Sequence, residues 1–357
     1  MEIKYLNKDL SSKWDEFCIE SDDAWFWHTS KWINYNIDYG QKFNSQSKSF
    51  AIIENNKIIA IAPLLLENRE GYNEFSLGYD AYGPAPALSN NLDQKNREKT
   101  LKFIFNQIDD LAKKNNIKRI RLRFPALSKS FIENNSQKYN TLVKFNYFDN
   151  SINTQIIDLS KPIEELKKEM RHGHIYDINK ASKILKITIL DKNTATKKIF
   201  DQYVNLHHKA SGRKTRSSST FNDMFNWIKE DDAILILAKK NNTLVSASYF
   251  SLFKNNAFYF SSCSDPDFKN IPASHLIQWH AIKWMKNKKY KFYEIGWQNY
   301  PTDISYLSTI KEVSISKFKR GFGGFTTTFF MGEKFYDRNL FKKLYTSKIE
   351  EISNIIQ

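Results

Sequence analysis

The chain has 357 residues, of which 41% are hydrophobic and 15% aromatic; this suffices for packed cores and excludes global disorder. At roughly 150 residues per domain the length predicts two domains, and since no apolar run reaches the roughly 18 residues of a membrane span, we expect no membrane insertion. The net charge of +15 is explained either by lysines solvated over every helix or by an anionic partner.

The N-terminal region indicates a cytoplasmic protein whose first long elements are helices. The stretch MEIKYLNKDL contains no hydrophobic signal core. The cysteines, Cys18 and Cys263, are far apart in sequence and do not indicate a disulfide framework. Two short helices are predicted over 14–19 and 29–39, with Thr29 as an N-cap.

A first series of elements runs from residue 49 to residue 124. The apolar run SFAIIE meets a turn at Asn55-Asn56, and the strands KIIAIAPLLL and EFSLGY follow. A Pro/Ala loop precedes a long helix over 92–115 and the strand IKRIRLRF, in which arginine alternates with apolar residues.

After two further helical stretches, over 163–185 and 196–210, the same series returns. The run AILILA is followed by the turn residues Asn241-Asn242. After them come the strands TLVSASYFSLF and NAFYFSSC, a proline-containing loop, a helix over 274–286 and the strand YKFYEIG. Asn55 and Asn241 are 186 positions apart, and so are Pro86 and Pro272. The repeat predicts two copies of one α+β domain, over 1–155 and 156–357.

The most distinctive basic segment lies near the end of the chain, over 316–324. Its three glycines permit positive φ and close backbone approach, while Lys319 and Arg320 supply cations. A phosphate or a developing oxyanion would suit this mixture. The other explanation is a hairpin or β-bulge with exposed cations.

Two further basic segments are candidates for ligand binding. Arg213 and Arg216 lie in a hydroxyl-rich stretch that could hold a pyrophosphate or could be a mobile surface loop. Arg171 and, further along, Lys180 could face an acidic group or lie on a solvated helix face.

The histidines and cysteines do not support a metal site or a covalent nucleophile. His275 and His280 are five residues apart, which breaks the i, i+4 pairing of a helical zinc motif. Neither cysteine has a local nucleophile signature. Direct transfer between two bound substrates is therefore favoured over covalent catalysis.

The order of elements in each half resembles the GNAT acyltransferase fold, and the tandem arrangement resembles the Fem peptidyltransferases and their acyltransferase relatives over nearly the whole chain. This resemblance implies, in each half, a central mixed, mostly antiparallel sheet flanked by helices. The matching segments are WFWHTSKW over 25–32, Tyr82-Gly83-Pro84, Leu122-Arg123-Phe124, the helix with Lys180-Ala181, and FKRGFGG over 318–324.

The resemblance implies one of two reactions. Fem enzymes transfer an amino acid from aminoacyl-tRNA to an amine of a peptidoglycan precursor, whereas relatives in surface-polysaccharide pathways use acyl-CoA to acylate an amino sugar on a nucleotide carrier. In both, a neutral amine attacks an activated carbonyl, so the amine needs a base or a water path and the oxyanion needs stabilisation.

By resemblance, Lys319 would be the cation near the transfer centre, and Arg213 or Arg216 would hold the phosphates of the acceptor. Three residues at the end of a central strand, or in the loop after it, are candidates for the base: Asp80, Glu294 and Tyr82. Further candidates for substrate binding are Arg320, Arg171, Lys180 and Trp297.

Departures from the family pattern favour one reaction. Pro125 stands where an acidic residue often follows the LRF strand, and Asn36 stands at a position that is often basic; both weaken the case for a peptidoglycan precursor. The loop over 268–273 lacks the glycines that usually hold the CoA pyrophosphate, so CoA would bind in an unusual way.

We therefore expect an N-acyltransferase that acts on a dTDP- or UDP-linked amino deoxysugar in O-antigen or capsule biosynthesis. Acyl-CoA would be a co-substrate, and no cofactor would be bound permanently. The alternatives are the aminoacyl-tRNA-dependent Fem reaction, with tRNA as a partner, and a binding module without turnover.

Overall fold

The structure is a computed structural model that describes residues 1–78, 81–302 and 306–354. Its strands are β1 Glu2–Tyr5, β2 Gln46–Ser47, β3 Phe50–Glu54, β4 Lys57–Ala62, β5 Leu65–Arg69, β6 Tyr72–Ser76, β7 Gly83–Pro84, β8 Ala87–Leu88, β9 Ile117–Arg123, β10 Phe148–Asp149, β11 Ile152–Asp158, β12 Lys186–Leu190, β13 Ala233–Lys240, β14 Thr243–Phe253, β15 Asn256–Ser264, β16 Phe292–Gln298, β17 Phe325–Phe329 and β18 Met331–Phe335.

The helices surround these strands and give an α+β protein. They are α1 Ser11–Glu20, α2 Ser30–Tyr39, α3 Gln94–Lys114, α4 Lys129–Ile132, α5 Ile163–Lys168, α6 His172–Ser182, α7 Lys197–Ser211, α8 Ser218–Lys229, α9 Ala273–Asn287, α10 Ile310–Arg320 and α11 Arg338–Ser353. None of the helices within the described ranges is both long and apolar enough to cross a membrane.

The chain divides into two compact units. Unit 1 comprises Met1–Ile152, Tyr300–Thr309 and Thr328–Gln357, and unit 2 comprises Asn153–Asn299 and Ile310–Thr327. The sequence-based division into 1–155 and 156–357 differs from this in the last third of the chain. The reason is β18, which pairs with β9 and β10 and so returns to the first unit.

Unit 1 contains two sheets. One has the strand order β1-β3-β4-β8, and the other has the order β10-β18-β9-β6-β5-β2, with β7 beside β9. The long helix α3 contributes Ile104, Phe105 and Ile108 to the core, because residues at this spacing lie on one face of a helix.

Proline 63 divides a segment that the sequence predicts as one strand. β4 ends at Ala62 and β5 begins at Leu65, and the two belong to different sheets. Proline has no N–H to donate to a sheet ladder, so a central strand does not continue through it.

Unit 2 is built on one sheet with the order β12-β13-β14-β15-β16-β11-β17. On one face, α6 and α9 pack in a core that includes Phe250 and Leu252 of β14. On the other face, the hydroxyl of Tyr249 donates to the carbonyl of Met224 in α8 (2.7 Å). The sheet is therefore covered by helices on both sides.

The repeat predicted from the sequence is present in the structure, because the two units share the same type of asparagine turn and a parallel strand pair in the corresponding place. Asn55 and Asn56 have φ of 49° and 60°, and Asn241 and Asn242 have φ of 47° and 67°. Two-residue hairpins with two positive φ values match the twist of their strands. Each unit contains a parallel pair, β6 with β9 in one and β15 with β16 in the other. The strand pairs around them are mostly antiparallel, although β7 also bridges β9 in parallel. The predicted fold class is confirmed.

Three helical segments differ from the sequence prediction. The stretch 163–185 is two helices, because Arg171 between them has extended ψ (136°). Helix α8, which Ser217 caps through a bond from the Thr220 amide (3.3 Å), begins at Ser218. It therefore includes the last residues of the hydroxyl-rich stretch, whereas Arg213 and Arg216 lie in the loop before it. Helix α10 includes Lys319 and Arg320, for which the sequence leaves open a hairpin or β-bulge.

Candidate active site

Lys319 lies in the last turn of α10 and not in the hairpin or β-bulge that the sequence leaves open. The helix ends at Arg320, and Gly323 and Gly324 follow with φ of 84° and 77°. Glycine adopts such angles without steric cost and commonly follows a helix C-terminus. These glycines turn the chain just after the helix, and Lys319 lies at the helix end where a cation interacts favourably with the helix dipole.

The ammonium of Lys319 lies against β16 at Gly296. The pairing of β16 with β11 shifts register here: Gly296 opposes Gln155, and Glu294 opposes Ile156. Gly296 has φ of 108°, and a Cβ added there would lie 2.8 Å from Lys319 Nζ. The absence of a side chain at this bulge thus lets the ammonium approach the strand and donate to the carbonyl of Trp297 (3.4 Å).

Burial and a carboxylate act in opposite directions on Lys319. Burial lowers the pKa of Lys319 to about 8, because it disfavours the charged form, while the negative charge of Glu294 raises it. Glu294 is buried, and its Oε1 accepts a hydrogen bond from the hydroxyl of Thr154 (2.7 Å). A lysine with a pKa of about 8 can both stabilise negative charge and exchange a proton near neutral pH.

The parallel pair beside this site separates at Glu294. The ladder between β15 and β16 ends with Phe258 opposite Glu294. Beyond that point β15 continues along β14, and β16 continues along β11. Glu294 therefore stands where two neighbouring strands diverge.

The structure brings together four of the residues that the sequence singled out. They are Lys319, Glu294, Trp297 and Arg320. The carbonyl of Trp297 accepts a hydrogen bond from Lys319, and the guanidinium of Arg320 donates to Gln298 Oε1 (2.7 Å). All four belong to unit 2 and lie on β16 or at the end of α10.

Arg171 is close to the same helix end, although it acts there through its backbone and through His174. Its amide donates to the Gly321 carbonyl (2.9 Å). His174 is buried, and its Nε2 lies 2.8 Å from the Phe318 carbonyl while its Nδ1 lies 3.2 Å from Arg171 Nη2. Since a carbonyl only accepts, Nε2 carries the proton and Nδ1 accepts from Arg171.

His174 thus fixes the residue that precedes Lys319, a role that the sequence did not reveal. Burial lowers the pKa of His174, and the charge of Arg171 lowers it further. A Cβ on Gly321 would lie 2.2 Å from His174 Nε2. The pairing of His174 with a glycine 147 positions away depends on tertiary packing, which no local pattern reports.

The other predicted phosphate-binding residues of unit 2 lie in different surroundings. Lys180 and Arg213 are exposed. Arg216 is turned inward: Nη1 donates to the Ser261 hydroxyl (3.1 Å), and the guanidinium lies 5.5 Å from the ring centre of Phe260. Phosphate binding by these three residues stays a prediction.

The remaining two candidates for a base are not part of this cluster. Tyr82 belongs to unit 1, where its hydroxyl bonds to Glu333 and to Asn150; burial raises its pKa well above the usual value, and Glu333 adds to this. Asp80 lies outside the described residues. Within the ranges that are described, no three His, Cys, Asp or Glu side chains gather as a metal site.

Comparison with known proteins identifies the type of protein that this chain resembles. Residues 175–345 match the model of the FemAB family, and no curated protein matches the chain. The crystal structure of FemX superposes with a TM-score of 0.67 at 13% identity, covering 96% of this chain and 99% of that chain.

Two other solved structures share the fold. A tandem GNAT protein from the clavulanic acid biosynthesis pathway has a TM-score of 0.52 at 9% identity, covering 94% of this chain and 98% of that one. L-PGS from Bacillus licheniformis has a TM-score of 0.54 at 8% identity, covering 90% and 96%. The Fem-like, tandem-GNAT resemblance drawn from the sequence is confirmed, and the findings support a transferase of acyl or aminoacyl groups.

Proposed function

We propose that this chain, which resembles the FemAB family and tandem GNAT proteins, is an N-acyltransferase that moves an acyl group from acyl-CoA to the free amine of a nucleotide-linked amino deoxysugar. The acceptor would carry dTDP or UDP, and the product would enter surface polysaccharide such as O-antigen or capsule. Both substrates are cytoplasmic metabolites, so we place the reaction in the cytoplasm.

The observation that carries this proposal is the position of Lys319. Its ammonium is partly buried and lies against Gly296 at a bulge of β16. The negative charge of Glu294 acts on it, and Glu294 stands where β15 and β16 diverge. A cation held in a site of low dielectric stabilises an oxyanion more than it would in water.

In the proposed reaction the neutral amine attacks the thioester carbonyl and a C–N bond forms. The carbonyl oxygen becomes negative, and Lys319 stabilises it. Collapse of the intermediate breaks the C–S bond and releases the CoA thiolate, which gains a proton; the proton lost by the amine passes to water or to a carboxylate. With a pKa of about 8, Lys319 can supply the proton to the leaving group.

Two features of the structure are compatible with a nucleotide-linked acceptor. Asn36, at the position that is often basic, is buried and donates to the carbonyl of Trp32 (2.8 Å) within its own helix. The exposed cations Arg213 and Lys180 supply charge for a diphosphate.

The FemAB match over 175–345 favours a second candidate, transfer of an amino acid from aminoacyl-tRNA to a peptidoglycan precursor. The chemistry at Lys319 would be the same, except that the leaving group is a ribose hydroxyl. That group is much less acidic than a thiol, so protonation by Lys319 would matter more.

Thiol release tests the proposal. The protein is mixed with acetyl-CoA or another short acyl-CoA and a panel of dTDP- and UDP-linked amino sugars. Lys319→Ala should lower kcat by about 100-fold with little change in KM for the sugar. Lys317→Ala, an exposed lysine of the same helix, is the matched control and should retain activity.

Two outcomes would contradict the proposal. Absence of thiol release across the panel, together with amino acid transfer from charged tRNA, would establish the second candidate. Equal activity of Lys319→Ala and Lys317→Ala would remove the assigned role of Lys319.

A further inference from the structure

Unit 1 contains a cleft that shares no residue with the candidate active site. Its volume is about 770 Å³, and it lies between α3 and the segment 134–146. Ligand sites for small molecules have volumes of about 300–1,000 Å³, so the cleft is large enough for two or three sugar rings.

The charges that line this cleft are balanced, although the chain as a whole carries +15. Four carboxylates and four basic side chains line it. The innermost are paired with each other: Arg97 Nη2 lies 2.6 Å from Asp23 Oδ2, and Lys334 Nζ lies 2.7 Å from Asp109 Oδ1. The cleft therefore has no excess positive charge with which to attract phosphate.

The polar part of the lining consists mainly of amides and hydroxyls. Asn106 is exposed on α3, and Asn134 and Gln137 lie on the opposite segment. Asn134 Nδ2 donates to Asp22 Oδ2 (2.9 Å), and Gln137 Nε2 donates to the Tyr139 carbonyl (3.1 Å). An amide offers two donors and an acceptor, so such a wall suits a ligand that both donates and accepts hydrogen bonds.

Aromatic rings form the apolar part of the lining. The rings of Phe105 and Phe145 stack with centres 3.9 Å apart, and Phe124 and Tyr139 line the cleft beside them. Phe124 and Phe145 remain partly exposed. Flat aromatic surfaces match the C–H faces of pyranose rings, whose edges carry hydroxyl groups.

We propose that this cleft is a second ligand site of the protein and that it binds a neutral oligosaccharide. Balanced charge, amide donors and acceptors, and exposed ring faces all favour a neutral polyhydroxyl ligand over a phosphorylated one. The proposal concerns residues of unit 1 and is independent of the reaction assigned to Lys319.

The test uses the full-length protein labelled with ¹⁵N and two neutral trisaccharides, triacetylchitotriose and maltotriose. At least one should shift the side-chain amide signals of Asn106 and Gln137 saturably, below about 10 mM. Asn106→Tyr fills the cleft from an exposed position and should weaken binding by about tenfold or more. Asp110→Tyr, exposed on the same helix and outside the cleft, should bind as the wild type does.

The proposal is overturned if neither trisaccharide gives a saturable shift, or if the two tyrosine variants bind equally well. It is also overturned if inorganic phosphate or tetra-alanine occupies the cleft more tightly than either sugar. Gln137→Ala provides a second check should Asn106→Tyr unfold, and its affinity should fall as well.

Discussion

Burial and the charge of Glu294 together determine the pKa of Lys319. Burial lowers the pKa of Lys319, because it disfavours the charged ammonium. The negative charge of Glu294 opposes this and raises the pKa in part. Glu294 is buried and is held by Thr154. The carboxylate of Glu294 therefore favours the protonated form of Lys319.

Glu294→Gln should lower the pKa of Lys319 below 8, because it removes the charge that favours the ammonium and leaves burial unopposed. If catalysis requires protonated Lys319, activity is lost as pH rises through this pKa, so the alkaline limb of kcat/KM should move to lower pH. The measurement is a pH–rate profile of both proteins, with ¹⁵N-lysine NMR as a readout that does not need substrate.

Thr154→Val is the matched control, since it removes the hydrogen bond and keeps the carboxylate. It should shift the alkaline limb less than Glu294→Gln does. An unchanged limb in Glu294→Gln would mean that Glu294 does not set the charge of Lys319.

For single residues, the sequence indicates candidate groups more readily than it indicates the partners of those groups. Lys319, Arg320 and Glu294 stand out by residue type and by position at strand or helix ends. The partners Thr154, Gln298 and His174 do not, because each contact joins residues that are distant in sequence or lie on different elements. Such contacts arise only when β11, β16, α6 and α10 pack.

The bulge of β16 connects strand geometry to the position of the cation. Gly296 has φ of 108°, a conformation that L side chains rarely adopt, and its missing Cβ leaves the space that Lys319 Nζ approaches. Bulges often lie next to functional sites, where they redirect a strand.

Gly296→Ala should displace Lys319 and strain the backbone together. Displacement of about 1 Å should lower kcat by about tenfold to 100-fold, and the positive φ should cost on the order of 1–2 kcal/mol of unfolding free energy. Steady-state kinetics and urea unfolding measure the two effects separately.

Gly71→Ala is the control for backbone strain alone, because Gly71 has φ of 86° and nothing lies within 4 Å of an added Cβ. It should lose comparable stability and keep its activity. If Gly296→Ala kept full activity at the same loss of stability, the contact with Lys319 would have no catalytic importance.

The predicted elements were most accurate where turn chemistry and periodicity agree. The asparagine hairpins, α3 and α9 follow the sequence prediction closely. The prediction is wrong at Pro63, where one apolar run is two strands, and it misses α10, whose last residues the sequence assigns to a hairpin or β-bulge as the structural alternative. A glycine cluster marks the end of a helix as readily as a loop.

The second unit contains four histidines whose pKa values burial lowers. Those of His207, His275 and His280 are lowered to about 4, and that of His174 is lowered as well. An unfolded chain titrates histidine near pH 6.5, so between about pH 6.5 and pH 4 the unfolded state binds more protons than the folded state.

The unfolding free energy should therefore fall as pH falls through this window, by on the order of 3 kcal/mol between pH 7 and pH 5. Urea unfolding at several pH values measures the slope. His280→Gln should reduce the slope, whereas the exposed His172→Gln serves as the control. A flat profile between pH 7 and pH 5 would show that these histidines titrate normally in the folded protein.

The position of β18 has a consequence for the order in which the protein is made. This strand lies between β9 and β10 in unit 1, yet it is synthesised after all of unit 2. During translation the edge of β9 therefore stays unpaired while more than 200 further residues emerge, and unpaired strand edges are sites of aggregation. Unit 1 therefore completes its sheet last. A chain truncated after unit 2 would lack β18 and would leave that edge of β9 unpaired.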